Sequence, residues 1–432
     1  MNLVSCGICM NTCGTISPVC FLISNLISDQ YMMNSAFSAV ELAPSDPILG
    51  LTELFKSDNN PNKVNLGVGV YYDDNGNVPL LSCVRLAESK IVAKHRARSY
   101  QPIEGNTQYN KLVQTLLFGS DSELLNTNRI ITAQTLGGTG ALKVGADFLR
   151  QIVGCSDVWI SDPSWANHQG IFSNAGLKVN VYPYYDPNTR GIAFDRMVEQ
   201  LKALPQQAIV LLHACCHNPT GVDLTADQWQ IVTDIVVDRG LIPFLDIAYQ
   251  GFGSSLDEDG AVVRLFTEKC QNLVISNSFS KSFSLYGERI GGLSIMSGTA
   301  GEAKRVQSQL KRLIRTNYSS PPIHSGALVE TVLADSELKA QWVNELTGMR
   351  ERIKKMRLDL STNIAKLCPG ADFSFITQQK GMFSYSGLTK EQVIKLREEH
   401  SVYAVESGRI CVAALNSQNV EFVSDAISKV IL

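Results

Sequence analysis

Hydrophobic residues recur in two alternating patterns from Asp46 onward. Short, nearly continuous apolar runs predict buried strands, and they alternate with longer stretches whose apolar residues are spaced as on one helix face. The predicted strands lie within 158–163, 208–221, 241–252, 272–281 and 289–296, and the last is expected to turn back. Between them, 137–153 and 225–240 predict helices. This alternation predicts an α/β fold with a largely parallel sheet.

A single long helix is predicted near the C-terminus, over residues 336–367. Its apolar residues repeat at helical spacing along one face, and a helix of this length can bridge two domains. The residues of that face are Trp342, Leu346, Met349, Ile353, Met356 and Ile364. The remainder, 368–432, reads as a small α+β unit.

Composition narrows the class of protein. With 432 residues, 44% of them apolar, the chain can bury a large core, which excludes general disorder. The net charge of −3 and the lack of a long basic run argue against nucleic acid as a partner. No apolar run reaches the roughly 20 residues of a membrane span. Eleven scattered cysteines do not form a disulfide framework, so we expect a reducing, cytoplasmic location.

The first 33 residues differ from the rest. They lack the lysines and arginines of a signal peptide or mitochondrial presequence, since the first basic residue of the chain is Lys56. The cysteines of this leader are Cys6, Cys9, Cys13 and Cys20. A metal site built from the first three would need a second ligand pair, which does not follow, so no metal is predicted. The favoured interpretation is a protein that begins at Met32 or Met33.

Polar residues stand at the ends of the predicted strands. Asn218, Asp246 and Lys281 lie at or just past the carboxyl ends of three of them. Ligands of open α/β sheets bind at that edge. These three residues therefore predict one common site.

Lys281 has the sequence neighbours of a reactive amine. Phe279, Phe283 and Leu285 would desolvate it and lower its pKa, as a lysine that forms a Schiff base requires. Asp246 ends an apolar strand, where a carboxylate needs a cationic partner. A protonated pyridine nitrogen is such a cation, and pyridoxal phosphate pairs a Schiff-base lysine with an aspartate.

A phosphate group would find donors close by. Gly138, Thr139 and Gly140 open a predicted helix, whose free N–H groups favour an anion. The lysine segment adds hydroxyl and guanidinium donors. These donors are Ser278, Ser280 and Arg289. Together with Lys281 they predict pyridoxal phosphate as the cofactor.

At this point the chain resembles a known family. From residue 46 to the C-terminus it is similar to class I, fold-type I aminotransferases of the aspartate/aromatic subgroup. The motifs that carry the resemblance are NLGVGVYY, TLGGTGALKVGADFL, SDPSWANH, CCHNPTG, FLDIAYQGF, SFSKSFSLYGERIGG, RTNYSSPP, GMFSYSGL and SGRICVAALN. The resemblance implies a large domain with a mostly parallel seven-stranded sheet between helices, and a smaller α+β domain. It divides the chain into the leader 1–33, an arm with part of the small domain 34–78, the large domain 79–345 and the small domain 346–432.

The resemblance also implies a role for each matching residue. Lys281 would be the Schiff-base lysine, Asp246 the partner of the ring nitrogen, and Tyr249 a further catalytic residue. The other cofactor ligands would be Asn218 and Tyr249 at the ring oxygen, Trp165 on the ring face, His168 and His213 behind Asp246, and Gly138, Thr139, Ser278, Ser280 and Arg289 at the phosphate. Substrate would contact Arg409 through its α-carboxylate, together with Gly69, Asn218 and Trp165. Because family members are homodimers with shared sites, Tyr100 and Arg315 would serve the neighbouring subunit, Arg315 by meeting a side-chain carboxylate.

The sequence features that distinguish aromatic from aspartate aminotransferases do not all point to the same branch. The motifs SFSLYGERIGG and RTNYSSPP look like the bacterial aromatic (tyrosine) branch, and Tyr72 and Val78 make the pocket less polar than in aspartate enzymes. Val70 and Thr139 are aspartate-like, and Ser99 matches neither branch. We expect transfer from tyrosine and phenylalanine, and from aspartate and glutamate, to 2-oxo acids such as 2-oxoglutarate. A dedicated aspartate aminotransferase is the alternative.

Three other functions share parts of this pattern. A lyase of the same fold or a binding protein on an inactive scaffold would not need the full set of Lys281, Asp246, Arg409 and Arg315. A lysine-dependent aldolase gives no reason for the phosphate donors. Ser282 and Ala414 depart from the family pattern, where asparagine or isoleucine and glycine are usual, and put only fine geometry in doubt.

Overall fold

The computed structural model describes residues 35–43, 47–95 and 97–432. The predictions for the leader and its cysteines lie outside the described residues. Residues 35–43 belong to a short unit of their own and form an exposed turn, whereas Gly50–Leu432 forms one compact unit. Among the described residues, no helix is both long and apolar enough to cross a membrane.

A seven-stranded sheet forms the centre of the compact unit. Its order is β2-β10-β9-β8-β7-β3-β4, and only β10 runs antiparallel to its neighbours. The strands of this sheet are β2 (Ile130–Leu136), β3 (Asp157–Asp162), β4 (Lys178–Pro183), β7 (Ile209–His213), β8 (Ile242–Ile247), β9 (Leu273–Ser278) and β10 (Ile290–Met296). The predicted α/β fold, with its mostly parallel sheet and a final strand that turns back, is confirmed.

Short strands form three further pairs. They comprise β1 (Val64–Asn65) with β12 (Val402–Tyr403), β5 (Tyr185–Asp186) with β6 (Gly191–Ile192), and β11 (Phe383–Tyr385) with β13 (Arg409–Cys411). The last pair carries Arg409, which places it beside the candidate site.

Helices cover both faces of the large sheet. The α-helices of the described residues, only some of which pack on this sheet, are α1 (Pro47–Ser57), α2 (Ser82–Ala93), α3 (Thr107–Phe118), α4 (Gly137–Phe148), α5 (Ala166–Asn174), α6 (Phe194–Ala203), α7 (Ala226–Asp238), α8 (Leu256–Lys269), α9 (Ala300–Asn317), α10 (Ile323–Ala334), α11 (Ser336–Leu367), α12 (Lys390–His400) and α13 (Val420–Ile431). One core includes residues of α4, α5 and α9, and the other includes residues of α3, α7 and α8. Two-sided cover explains why the strands read as continuous apolar runs rather than alternating ones.

Local signals fix the helix boundaries. Thr225 caps α7 through a reciprocal pair of bonds with Gln228, as the predicted start signal requires. The predicted helix over 137–153 is α-helical only to Phe148 and ends in a wider turn over Leu149–Val153. The long helix α11 has the predicted bounds, and all six residues of its predicted face are buried. The proposed domain boundary at 345/346 falls inside α11, and the division into domains stays a prediction.

Free cysteines are mostly buried in the described part of the chain. Cys83, Cys155, Cys215, Cys216, Cys368 and Cys411 are buried, and Cys270 is half-buried. Burial raises the pKa of the Cys411 thiol to about 11. These thiols therefore pack as small hydrophobic groups.

Candidate active site

Three neighbouring parallel strands end at the edge of the sheet where the polar residues were predicted to meet. His213 is the last residue of β7 and pairs in register with Asp246 of β8. Asp246 in turn pairs with Ser276 of β9, the strand that leads into Lys281. Parallel strands bring their carboxyl ends to one edge, so residues separated by up to 68 positions in the chain share one site.

Lys281 lies in the turn after β9. Phe279, Phe283 and Leu285 are buried around this turn. The Lys281 amine is 5.4 Å from the centre of the Tyr249 ring. Burial, and then the positive charge of Arg289, lowers the pKa of Lys281 to about 8, against the opposing effect of Asp246. About a tenth of this amine is therefore neutral at pH 7, far more than for an ordinary lysine, and the neutral form is the one that acts as a nucleophile or a base.

Asp246 is a buried carboxylate held from behind. His168 Nε2 lies 3.1 Å from its Oδ2, and His168 Nδ1 lies 3.0 Å from the Ser164 hydroxyl. Burial alone would raise the pKa of Asp246, but the hydrogen bond and charge of His168, followed by His213 and Lys281, bring it below its ordinary value. The carboxylate is therefore an anion that can hold a cation on its open side.

Two further buried histidines, His213 and His217, lie next to His168 behind Asp246. His213 lies 5.1 Å from the His168 ring, and burial lowers the pKa of His213 to about 3, so its ring is neutral. His217 packs edge-on against His213 at 4.4 Å and stacks on Tyr184 at 3.9 Å. Because the His213 and His217 rings are uncharged at neutral pH, they add no positive charge that would compete with a bound cation for the Asp246 carboxylate. The sequence reasoning gave His217 no role, although it stands inside the CCHNPTG motif.

The predicted phosphate donors converge at the start of α4. No side chain caps this helix, so its first N–H groups are open to an anion. Arg289 approaches so closely that its Nη2 lies 2.7 Å from where a Cβ on Gly137 would stand. Arg289 Nη1 donates to the Ser280 hydroxyl at 3.2 Å, and the Ser278 and Ser280 hydroxyls are 3.2 Å apart. Gly138 faces Ser278, with 3.2 Å between a built Cβ and the serine Cβ, and Thr139 follows on the helix.

The remaining predicted cofactor ligands surround this edge. Asn218 Nδ2 reaches the Tyr249 hydroxyl at 3.5 Å, and both residues are buried. Asn218 Oδ1 has no hydrogen-bond partner among the described residues, which leaves an acceptor for a ligand. Trp165 is half-buried and meets the His168 ring edge-on at 5.1 Å. Together these groups fit a phosphorylated pyridine aldehyde. They comprise hydroxyls, the start of a helix, a buried carboxylate and an amine of lowered pKa.

Arg409 lies buried beside this set. It donates to the Gly67 carbonyl, and its guanidinium stacks 4.5 Å above the Phe383 ring. Its Nε is buried with no partner in the described part of the chain. Gly69 packs on the same ring, since a Cβ there would stand 2.6 Å from Phe383. A guanidinium with an unused donor suits a carboxylate ligand.

Tyr100 and Arg315 are exposed within one chain. Tyr100 is 94% exposed, and Arg315 is exposed with its Nη1 donating to the Ser319 hydroxyl. Neither makes a hydrogen bond to the residues gathered around Lys281 in the described structure.

The two departures from the family pattern are buried. The Ser282 carbonyl accepts a hydrogen bond from Trp342 Nε1 at 2.7 Å. Ala414 ends a short helical turn, Val412–Ala414. Neither side chain is among the donors described above, so the structure gives both a packing environment rather than a chemical one.

Comparison with known proteins identifies the family. A family model for aminotransferases of class I and II matches residues 61–427. This chain belongs to that family. The predicted class of enzyme, an aminotransferase, is thereby confirmed.

Individual relatives cover almost the whole chain. It is 54% identical to the aspartate aminotransferase of Pseudomonas aeruginosa over 92% of this chain and 100% of that protein. It is 50% identical to the aromatic-amino-acid aminotransferase of Escherichia coli, over 91% and 100%. A crystal structure of the aromatic-amino-acid aminotransferase of Burkholderia pseudomallei, covalently bound to pyridoxal phosphate, superposes with a TM-score of 0.91 at 57% identity, over 92% and 100%.

Proposed function

We propose that this aminotransferase carries pyridoxal phosphate on Lys281 and moves amino groups from tyrosine, phenylalanine, aspartate and glutamate to 2-oxo acids such as 2-oxoglutarate. One observation carries the proposal. Lys281, the Asp246–His168 pair and the phosphate donors of α4 and β9 meet at one edge of the sheet. The solved relative from Burkholderia pseudomallei, which holds this cofactor covalently, supports it.

Each residue has a separate task in this proposal. Pyridoxal phosphate, when bound, supplies a carbonyl that condenses with amines and a ring that accepts electrons. Asp246 would hold the ring nitrogen in its protonated form, and His168 would hold Asp246 in position. The Lys281 amine would take the proton from the substrate Cα and return it later, as base and then acid. Tyr249 and Asn218 would donate to the ring oxygen, and Trp165 would cover the ring face.

The phosphate and the α-carboxylate would lie on opposite flanks. Ser278, Ser280 and Arg289, with the N–H groups of Gly138 and Thr139, would hold the phosphate. Arg409 would hold the α-carboxylate through a two-pronged ion pair beside Gly69, and its buried Nε, which lacks a partner among the described residues, supports this role.

We also propose a homodimer with shared sites in a reducing cytoplasm. The exposed Tyr100 and Arg315 are the support, since a side chain that reaches a neighbour's site stays open in its own subunit. Tyr100 would reach the partner's phosphate site, and Arg315 would meet a substrate side-chain carboxylate there. His213 would contribute indirectly, as a neutral ring behind His168.

Broad donor specificity has a direct test. The purified protein, mixed with phenylalanine and 2-oxoglutarate, should form phenylpyruvate and glutamate, and aspartate should replace phenylalanine. No amino transfer with either donor would refute the proposal. Phenylpyruvate without glutamate, or ammonia release, would indicate a lyase or oxidative reaction instead.

A dedicated aspartate aminotransferase is the second candidate. The 54% identity to a relative with that name favours it. Aspartate turnover with phenylalanine turnover near the background rate would select this candidate.

A further inference from the structure

A buried arginine on the long helix lies two contacts away from the proposed carboxylate site. Arg357 of α11 is only 3% exposed. Its Nη2 donates to the carbonyls of Gly381 and Phe383 at 2.6 and 2.8 Å, and its Nε donates to the Ser384 hydroxyl at 3.2 Å. One guanidinium therefore fastens the segment that leads into β11.

Arg357 is held by neutral groups. In the part of the chain that the structure describes, no carboxylate forms an ion pair with it. Burial lowers the pKa of Arg357 to about 10, so the side chain stays charged at neutral pH. A buried cation with no directly paired anion is costly, and three hydrogen bonds to one segment, together with the more distant charge of Asp223, offset that cost.

The fastened segment carries Phe383, and Phe383 supports Arg409. Its ring lies 4.5 Å below the Arg409 guanidinium and 5.9 Å from the Tyr249 ring. The backbone of β11 is tied to the same partner strand, since Phe383 pairs with Cys411 and Tyr385 pairs with Arg409. The position of Arg409 thus depends on where Arg357 holds β11.

Tight contacts leave this segment little freedom on its other side. A Cβ on Gly381 would stand 2.4 Å from Cys216 Cβ, and one on Gly221 would stand 2.6 Å from the Phe383 carbonyl. Both glycines have positive φ, +78° and +72°. The segment therefore lies between Arg357 and the loop that carries Asn218, and these close contacts oppose a shift of Phe383 toward that loop.

We infer that Arg357 is a positioning residue that sets the affinity of Arg409 for carboxylates. It touches neither substrate nor cofactor and acts through Phe383. The inference rests on the proposed function, because Arg409 must be the α-carboxylate ligand.

Arg357→Lys keeps the charge but cannot make three bonds in a fixed fork. The holoenzyme variant should bind 3-phenylpropionate about five- to tenfold more weakly, the size of effect expected when charge-assisted hydrogen bonds are lost. The KM of phenylalanine and of aspartate should rise equally, while kcat changes less than about threefold. The affinity for pyridoxal phosphate should not change.

Arg350→Lys is the matched control. Arg350 lies two turns earlier on α11, is 9% exposed, and donates to the Gly251 carbonyl at 3.0 Å. It contacts neither β11 nor Arg409 through a hydrogen bond, so a similar loss of thermal stability should leave 3-phenylpropionate binding unchanged. Equal weakening in both variants would reduce Arg357 to a general structural role and overturn the inference.

If Arg357→Lys does not fold, Phe383→Leu tests the same connection from the other end, and it should weaken 3-phenylpropionate binding to a similar extent. Unchanged binding in either variant, with weak binding in Arg409→Leu, would overturn the inference alone. Unchanged binding in Arg409→Leu would overturn the proposed role of Arg409 and the inference with it.

Discussion

The residues proposed to hold the cofactor and those proposed to hold the substrate are built into the chain in different ways. The core of the first group lies at the ends of β7, β8 and β9, where neighbouring strands fix His213, Asp246 and the segment of Lys281 relative to one another, and the start of α4 adds phosphate donors. The second group is dispersed. Arg409 is buried on the short strand β13, whereas Arg315 is exposed at the end of α9.

This difference assigns the chemical steps to the residues at the sheet edge and the choice of substrate to Arg315. A sheet edge is a rigid platform and suits steps that are common to every substrate. Among the described residues, the exposed Arg315 has a hydrogen bond to Ser319 alone, so it is able to pair with a second carboxylate when the substrate has one and to do without it otherwise. Changes at the sheet edge should therefore harm all substrates alike, and changes at Arg315 should distinguish them.

The largest effect is expected at Lys281. Lys281→Ala removes the amine that condenses and transfers protons, and loss of a residue with both tasks should cost about a millionfold in kcat. Steady-state rates with phenylalanine and aspartate measure this. Lys143→Ala is the control, because Lys143 lies on the helix that begins at the phosphate donors but pairs with Asp147. Activity near the wild-type rate in Lys281→Ala would refute the assignment.

Asp246→Ala should come next. The variant should still bind some cofactor, but the barrier to Cα deprotonation should rise by about 4–8 kcal/mol at 1.36 kcal/mol per factor of ten. Single-turnover absorbance with each donor measures the step directly. A decrease of less than tenfold, or a decrease for one donor only, would contradict a role common to all substrates.

A change at Arg315 should affect acidic and aromatic substrates differently. Arg315→Leu removes a charge-assisted bond worth roughly 1.5–3 kcal/mol, so kcat/KM for aspartate should fall by about ten- to a few hundredfold. For phenylalanine it should stay close to unchanged. Arg409→Leu should damage both donors alike. Equal losses for both donors in Arg315→Leu would remove the proposed division.

The smallest effect is a pH dependence. With a pKa of about 8 in place of 10.5, the neutral fraction of Lys281 grows as pH rises from 7 to 9. Since the neutral amine is the nucleophile, cofactor capture by the cofactor-free protein should quicken about tenfold over this range and then level off. Stopped-flow absorbance after mixing with pyridoxal phosphate follows it. A rate still rising steeply at pH 10 would mean an ordinary lysine.

The residues at the ends of the strands could be predicted from the sequence more easily than the contacts between side chains of different elements. Strand ends such as Asp246 are visible in a sequence because an apolar run stops at a polar residue, and that signal is local. The support of Arg409 by Phe383, 26 positions earlier, depends on strand pairing and ring packing that no periodicity encodes. His217 and Arg357 went unassigned for the same reason: a buried histidine or arginine looks like a surface one until its neighbours are known.

Mixing two defective variants tests the shared site most directly. Lys281→Ala keeps Arg315, and Arg315→Leu keeps Lys281, so a mixed dimer holds one site with both residues if Arg315 serves the partner. After equal mixing and random exchange, half of the dimers are mixed and about one quarter of all sites should regain wild-type activity on aspartate. Activity that stays at half that of Arg315→Leu alone would place Arg315 in its own subunit's site, or in none, and would contradict the account.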